Sequence, residues 1–380
     1  MSTKKYVKNH NYEKGKNNCV LNNHMLQFFT DSLVDNKEWG RNMISIKELA
    51  QRCGVSVATV SKALNDKSDI GEETKKRIRE LADEMGYFPN ASARTLRSKR
   101  SHCIGVLFGE NGGTALTDEF FPKVLNAFKI AVEKRGYEII FINKEVGGHT
   151  LSYLEHCRYR GVDGVVLAYT YYRDPEVIEL IKSELPVVTV DRIFEEKTSV
   201  CFDYKKGMRD LVTYIYEKGH RKIAYIHGEN SQITVKRVDS FYETMQSLGL
   251  SVPDTYMKEG RYLDFRKTRQ LTQELLDLPD PPTCIIYPND FSALGGIGAI
   301  HDRKLTIPED ISIAGYDGIP LAKAMSPELT TLEQDSEKMG EAIAERITAL
   351  IENPGKEPIK RIMISGKVSC GNSVKNRNRG

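Results

Sequence analysis

Gly54-Val55-Ser56-Val57-Ala58-Thr59-Val60-Ser61-Lys62-Ala63-Leu64 reads as a tight turn leading into a short helix. Upstream, Ser45-Ile46-Lys47-Glu48-Leu49-Ala50-Gln51-Arg52-Cys53 places a serine three residues before a glutamate, the spacing of a capping box. Ile46, Leu49 and Ala50 recur at helical intervals and form an apolar face. Gly54 tolerates positive φ and stops that helix, and Ser56 is a good N-cap for the next. The result is helix, turn, helix in under about twenty residues, the arrangement that places a second helix in the DNA major groove.

On the second helix, Val60 and Leu64 are expected to face inward, leaving Val57, Ala58, Ser61 and Lys62 outward. Val57 and Ala58 suit a thymine methyl, and Lys62 can donate to guanine O6 or N7. Ser61 and Thr59 suit phosphates or bases. The competing reading is a helical hairpin on the surface of a larger fold. A third helix is expected over Glu72 to Met85, with Ile78, Leu81, Ala82 and Met85 on one stripe, ending at Gly86-Tyr87-Phe88-Pro89. Asn90-Ala91-Ser92-Ala93-Arg94-Thr95-Leu96-Arg97-Ser98-Lys99-Arg100 follows, with four basic residues and no acid. It is either a plain basic linker or a helix that orders on DNA, with Leu96 wedged into the minor groove.

Residues 44–101 resemble the headpiece of the lactose/galactose repressor family. The resemblance is carried by Ile46-Lys47-Glu48-Leu49-Ala50, the run from Gly54 through Leu64 to Asn65, Gly86-Tyr87-Phe88-Pro89-Asn90, and Ala93-Arg94-Thr95-Leu96. It implies a homodimer on a near-palindromic operator, with recognition positions at Val57, Ala58 and Lys62 and the hinge leucine at Leu96. The DNA-contacting set it suggests is Ser56, Val57, Ala58, Thr59, Ser61, Lys62, Asn65, Asn90, Ala93, Arg94, Leu96 and Arg97. Lys62 stands where arginine is usual, which weakens bidentate guanine reading. Gly71 stands where a serine usually caps the third helix.

A chain of 380 residues suits two or three domains. Its net charge of +3 is unevenly placed. Residues 1–43 carry +3, residues 44–100 carry +4 (12 Lys/Arg against 8 Asp/Glu), and the remainder carries −4. A basic head on a slightly acidic body fits nucleic-acid binding through one end. The seven cysteines are scattered, without C-x-x-C or metal-like spacing, which favours free thiols in a reducing cytoplasm. No apolar run of about 18 residues is present, so no transmembrane helix is expected. Residues 1–43 are rich in Asn and Lys without sustained periodicity. They are expected to be a disordered extension; an upstream start codon wrongly chosen and an arm touching DNA or a partner are the alternatives.

From Ser101 onward, apolar runs alternate with helical patterns. Strands are expected at 104–108, 138–142, 164–168 and 187–190, with helices at 120–135, 151–159 and 175–183 between them. A second series has strands at 222–226, 284–287 and 311–314 and helices at 235–248, 265–276 and 292–303. Alternating β and α predicts parallel sheets covered by helices; two series predict two lobes with a ligand cleft at the strand ends.

This body resembles the same family, and hence the type I periplasmic-binding-protein-like fold. The matching segments are Gly161-Val162-Asp163-Gly164-Val165-Val166, Pro186 to Arg192, Gly219-His220-Arg221-Lys222-Ile223-Ala224, Asn289-Asp290, Ile307 to Asp317 and Leu329-Thr330-Thr331. The expected architecture is a two-lobe α/β core behind an N-terminal all-α headpiece: 44–89 headpiece, 90–101 hinge, 102–204 plus 335–361 lobe 1, and 205–334 plus 362–374 lobe 2. The chain is expected to cross between lobes near Tyr204, Gln334 and Ile362.

Effector positions carried over from the family are Asp191, Arg237, Asn289 and Asp317, with Tyr262 at an aromatic position. Phe120 or Tyr262 suits the apolar face of a sugar ring, and the acids, Arg237 and Asn289 suit its hydroxyls. Tyr169 follows a strand, as do Tyr171 and Tyr172, and lines either the same cleft or a solvated loop. Glu119-Phe120-Phe121 replaces a family Asn-Pro-Phe-Phe, and Tyr204 follows Asp203 where Asn is common. A solute-binding transport protein shares the two-lobe body but not the headpiece. Gly109-Glu110-Asn111-Gly112-Gly113 lacks G-x-G-x-x-G spacing, Gly295-Gly296-Ile297-Gly298 falls within a helix, and no G-x-S-x-G or H-E-x-x-H occurs. The expectation is a non-enzymatic, cytoplasmic transcriptional regulator. Its partners are operator DNA, a sugar or glycoside effector and a second copy of itself, with pairing of dimers into tetramers left open. No cofactor, metal or membrane partner is expected.

Overall fold

The computed structural model describes residues 44–87, 100–109 and 120–378. The chain divides into two compact units, Met1–Asn90 and Ala91–Gly380.

The first unit holds α1 (Ile46–Cys53), α2 (Val57–Leu64) and α3 (Glu72–Glu84). The capping box forms: Glu48 N donates to Ser45 Oγ at 3.3 Å, and Ser45 N donates to Glu48 Oε2 at 2.6 Å. Gly54 ends α1 at φ 68°, where its missing Cβ removes the left-handed penalty. Ser56 caps α2 by accepting from Thr59 N at 3.1 Å. Leu49, Val60 and Ile78, one from each helix, form the fully buried centre, joined by Ala50, Ala63 and Ala82. Ser61 does not face outward as expected. It is buried beside Val60 and Ala63, because at about 100° per residue positions 63, 60, 64 and 61 lie side by side on one face of the helix.

The second unit runs β1 (Cys103–Phe108), α4 (Phe121–Glu133), β2 (Glu138–Phe141), the hairpin β3 (Glu145–Val146) and β4 (His149–Thr150), α5 (Tyr153–Arg160), β5 (Gly164–Ala168), α6 (Pro175–Lys182), β6 (Val187–Val190), β7 (Thr198–Phe202) and α7 (Tyr204–Glu217). It continues with β8 (Ile223–His227), α8 (Gln232–Ser247), β9 (Met257–Glu259), α9 (Phe265–Leu276), β10 (Cys284–Ile286), α10 (Asp290–Asp302), β11 (Ser312–Asp317), α11 (Pro320–Ala324), β12 (Thr330–Glu333), α12 (Ser336–Glu352), β13 (Arg361–Ile364) and β14 (Lys367–Ser369).

The strands form two six-stranded sheets, ordered β13-β7-β6-β5-β1-β2 and β14-β12-β11-β10-β8-β9. The first is parallel throughout; the second is parallel except at its edge, where β14 runs antiparallel to β12. Central strands such as β5 and β6 are buried along their whole length, as parallel strands covered by helices must be. The chain passes between sheets after β7, after β12 and after β13. The third passage lies beyond the expected Ile362: Ile362 pairs with Val200 inside the first sheet, and the crossing falls at Ser365-Gly366. Gly366 suits that place, since a Cβ there would lie 2.6 Å from Glu333 O.

The helices α7 and α12 lie outside the elements expected from sequence. Both are strongly amphipathic, α12 burying Met339, Ile343, Ala344, Ile347 and Ile351. Gly295 and Gly296 lie within α10 and serve packing: a Cβ on either would come within 1.9 Å of Phe265 O or Tyr287 Oη. Gly109 is likewise steric, since a Cβ there would meet Tyr169 O at 1.7 Å.

Candidate functional sites: a DNA-reading face and an effector cleft

Val57 is 40% exposed at the start of α2, an apolar side chain offered to solvent beside exposed Ala58. The Ser56 and Thr59 hydroxyls are bonded to each other at 2.9 Å. Asn65 closes the far end of α2, its Nδ2 donating to Ser61 O at 2.6 Å. Lys62 Nζ is paired with Asp69 Oδ2 at 2.5 Å. Of the other expected DNA-contacting residues, Asn90, Ala93, Arg94, Leu96 and Arg97 lie outside the described residues.

In the second unit the expected effector residues sit at the carboxyl ends of strands. Asp191 follows β6, Asn289 follows β10 and Asp317 ends β11, while Arg237 projects from α8. Arg237 is 3% exposed, and a guanidinium stays charged even there. Its Nη1 donates to Pro288 O at 3.0 Å, and its Nη2 lies 3.6 Å from Asp317 Oδ1. Three tyrosine rings surround the guanidinium carbon: Tyr316 at 3.6 Å, Tyr204 at 4.9 Å and Tyr262 at 5.8 Å. Such cation–π contacts strengthen when water is excluded. Asp317 also accepts from Gln334 Nε2 at 2.8 Å. It sits at φ 104°, an unusual conformation for a residue with a Cβ. Buried Asp290 holds that turn, accepting from Gly318 N at 2.8 Å and Ile319 N at 2.9 Å.

On the first-lobe side, Asp191 accepts from Phe202 N and from Tyr204 Oη, both at 2.9 Å. Burial pushes its carboxyl up to about 6, against the pull of those two donors. Phe120 packs on Phe202 with ring centroids 5.4 Å apart, and Phe202 meets Tyr204 at 6.1 Å. A continuous set of contacts therefore runs Phe120–Phe202–Tyr204–Arg237–Asp317, with Asp191 and Tyr262 attached. Asn289 joins it through Pro288, but its own Oδ1 caps α10 by accepting from Ser292 N. Tyr169 stands apart. It is 47% exposed and lies against Phe108 and Phe121 rather than the arginine. Tyr172 is turned inward, its hydroxyl bonded to Leu167 O and Val190 O.

Comparison with known proteins gives this arrangement its context. Residues 45–90 match the family described as "Bacterial regulatory proteins, lacI family", and residues 212–374 match the "Periplasmic binding protein-like domain". The "Probable HTH-type transcriptional repressor ExuR" of Bacillus subtilis (strain 168) is 30% identical over 318 residues, covering 82% of this chain and 93% of that protein. The chain belongs to the LacI family. The ribose operon repressor of Escherichia coli (strain K12) is similar to this LacI-family protein to the same degree, 30% over 82% of this chain and 94% of its own. Among solved structures, the lac repressor dimer bound to operator and the anti-inducer ONPF superposes with a TM-score of 0.71 at 23% identity, covering 87% of this chain and 99% of that one.

As a LacI-family member the protein is a DNA-binding transcriptional regulator with a helix-turn-helix headpiece and a two-lobe α/β core. No helix among the described residues is long and apolar enough to cross a membrane. Sequence reasoning missed four groups of this cluster: Tyr204, Tyr316 and Gln334, which contact Arg237 or Asp317, and buried Tyr225, whose hydroxyl lies within reach of the Arg237 charge. Tyr204 had a signal, as a bulky departure from a family Asn. Tyr225 and Tyr316 had none, because a tyrosine inside an apolar strand reads as core.

Proposed function

We propose that this LacI-family protein is a homodimeric repressor that releases a palindromic operator when a sugar-like effector enters the cleft around Arg237. Each headpiece lays α2 into the major groove of one half-site, reading bases with Val57, Ala58 and Lys62, and dimer symmetry sets the palindrome. The single observation supporting the effector role is the buried Arg237, ringed by Tyr204, Tyr262 and Tyr316 and facing Asp317. Its Nε and the buried Tyr225 and Tyr316 hydroxyls have no hydrogen-bond partner among the described residues. Buried polar groups are normally bonded, and a polyol supplies both donors and acceptors to such groups while its ring covers an aromatic face. A relative named for the ribose operon supports a small-molecule effector. Ligand binding to one arrangement of the lobes shifts the population toward the form that lets DNA go. The protein acts in the cytoplasm and catalyses nothing.

A thermal-shift screen against neutral sugars, glycosides, sugar acids and purines tests this, followed by a gel shift on the protein's own upstream DNA with and without the hit. A specific ligand raises the melting temperature by mass action. The same ligand is expected to dissociate the complex with DNA. A ligand that stabilises the protein and leaves the gel shift unchanged would refute the coupling.

A further inference from the structure

Lys62 is the basic side chain of α2, and it is already engaged. Its Nζ lies 2.5 Å from Asp69 Oδ2, with both side chains about half exposed, at 52% and 53%. Asp69 sits on the loop between α2 and α3, and that loop is pinned. Asp66, in the left-handed region at φ 56°, accepts from Arg79 at 2.9 Å and lies 3.1 Å from the buried Lys75. Lys67 N donates to Lys62 O at 3.0 Å, and Ile70 packs on the headpiece core. With Asp66 held by Lys75 and Arg79, Asp69 is the loop acid that faces α2. The Lys62 ammonium holds its carboxyl below the usual carboxylate range. An exposed pair of this kind adds little to stability, so stability does not account for it.

We propose that Asp69 is a specificity-determining residue for operator DNA, acting with Lys62 as a two-residue reader of one G·C pair in each half-site. The proposal rests on the placement of α2 in the major groove given above. An ammonium carries three N–H donors. One goes to Asp69 Oδ2, and two remain for guanine O6 and N7, both acceptors. The carboxylate accepts only, and suits the N4 amino group of the paired cytosine. An A·T pair sets its donor between two acceptors, which does not match this order. The pairing also has an electrostatic effect. Lys62 and Asp69 together carry no net charge, so Lys62 contributes little to phosphate neutralisation and counterion release, on which non-specific binding depends. Asp69 thereby favours the base edge over the backbone.

The test uses the full-length protein and its Asp69→Asn, Asp69→Ser, Lys62→Ala and Asp69→Asn/Lys62→Ala variants. Each is selected against a duplex library randomised over both half-sites. Binding to a random-sequence duplex is followed by anisotropy from about 50 to about 300 mM KCl, where counterion release dominates. Lys62→Ala is expected to remove a G·C preference at one position per half-site, by about tenfold. Both Asp69 variants are expected to weaken preference at that same position at least about threefold, to tighten random-duplex binding, and to steepen the salt slope by roughly 1 per headpiece. The double variant is expected to show the Lys62→Ala profile. Asp69 variants with wild-type selectivity and salt slope overturn the proposal, as does a uniform loss at all positions accompanied by a lowered headpiece melting temperature. If Lys62→Ala itself keeps the wild-type profile, base reading by Lys62 fails, and that outcome is separable because it does not depend on Asp69.

Discussion

The headpiece and the cluster around Arg237 hold their charged and polar groups in opposite ways. In the headpiece each working group is fixed by a near neighbour and remains in water: Ser45 with Glu48, Ser56 with Thr59, Lys62 with Asp69. In the Arg237 cluster the partners are further apart in sequence and buried or half-buried. Arg237 is held by Pro288 and faces Asp317; Asp191 is held by Tyr204 and Phe202; Asp317 is held by Gln334. An exposed reading face can change its specificity one residue at a time, because solvent compensates each loss. A buried site cannot, because removing one partner leaves the other uncompensated in a low-dielectric interior.

Three substitutions probe this contrast, from the largest expected effect down. Arg237→Ala removes the cation beside Asp317 and is expected to destabilise the core by about 3–5 kcal/mol, as broken buried pairs do. It should also abolish ligand-induced melting shifts while operator affinity at low temperature persists. A normal ligand titration in this variant would remove Arg237 from the site.

Asp191→Asn tests burial through pH. The folded carboxyl is raised to about 6 from an ordinary value of 3.8. The native state therefore keeps a proton that the unfolded chain has released, and the stability contributed by this carboxyl falls as pH rises from about 4 to about 7. The amide of the variant has no such proton to lose, so the variant gains on wild type across this window by up to roughly 3 kcal/mol, and the difference is flat above it. Denaturant melts at several pH values measure it; a pH-independent difference would mean that the Asp191 carboxyl is not raised by its surroundings.

Ser56→Ala is the smallest. It removes one cap from α2 and should cost about 1 kcal/mol in headpiece stability. It should weaken DNA binding slightly and evenly across sequences, with core melting and ligand binding untouched. A loss much larger than this would show that the headpiece depends on its caps more than on Leu49, Val60 and Ile78.

The headpiece was legible almost residue by residue. Caps, turn glycine and apolar spacing placed α1, α2 and α3 within a residue or so of their bounds. The exception was Ser61, where polarity suggested the surface and packing placed it inside. In the core, short apolar runs marked several central strands, with β5, β6 and α9 matching their expected ranges, but the interior strands β7 and β12 were not expected. Edge elements were less visible: β13 and β14 carry charged or half-exposed residues and lack an apolar run to mark them. Of the expected effector positions, Arg237, Asp317, Asp191, Tyr262 and Phe120 meet in one connected cluster, while Tyr169 does not. Tyr169 follows β5 at φ 57°, and Gly109 lets it lie over the end of β1 instead.

The sequence by itself determined the three-helix headpiece, the alternation of strand and helix, and the residue types available to bind DNA and a small ligand. The headpiece contacts that carry this information close within a few residues, seven in the case of Lys62 and Asp69, so local pattern contains them. Tertiary structure alone decided that Tyr204 meets Asp191 and Arg237, that Gln334 supports Asp317, and that Asp290 is spent on holding a turn. Those contacts follow from the order of strands in two sheets and from the three passages between them. Parallel pairing brings strand ends together across long stretches of chain, and no local periodicity encodes which strand lies beside which.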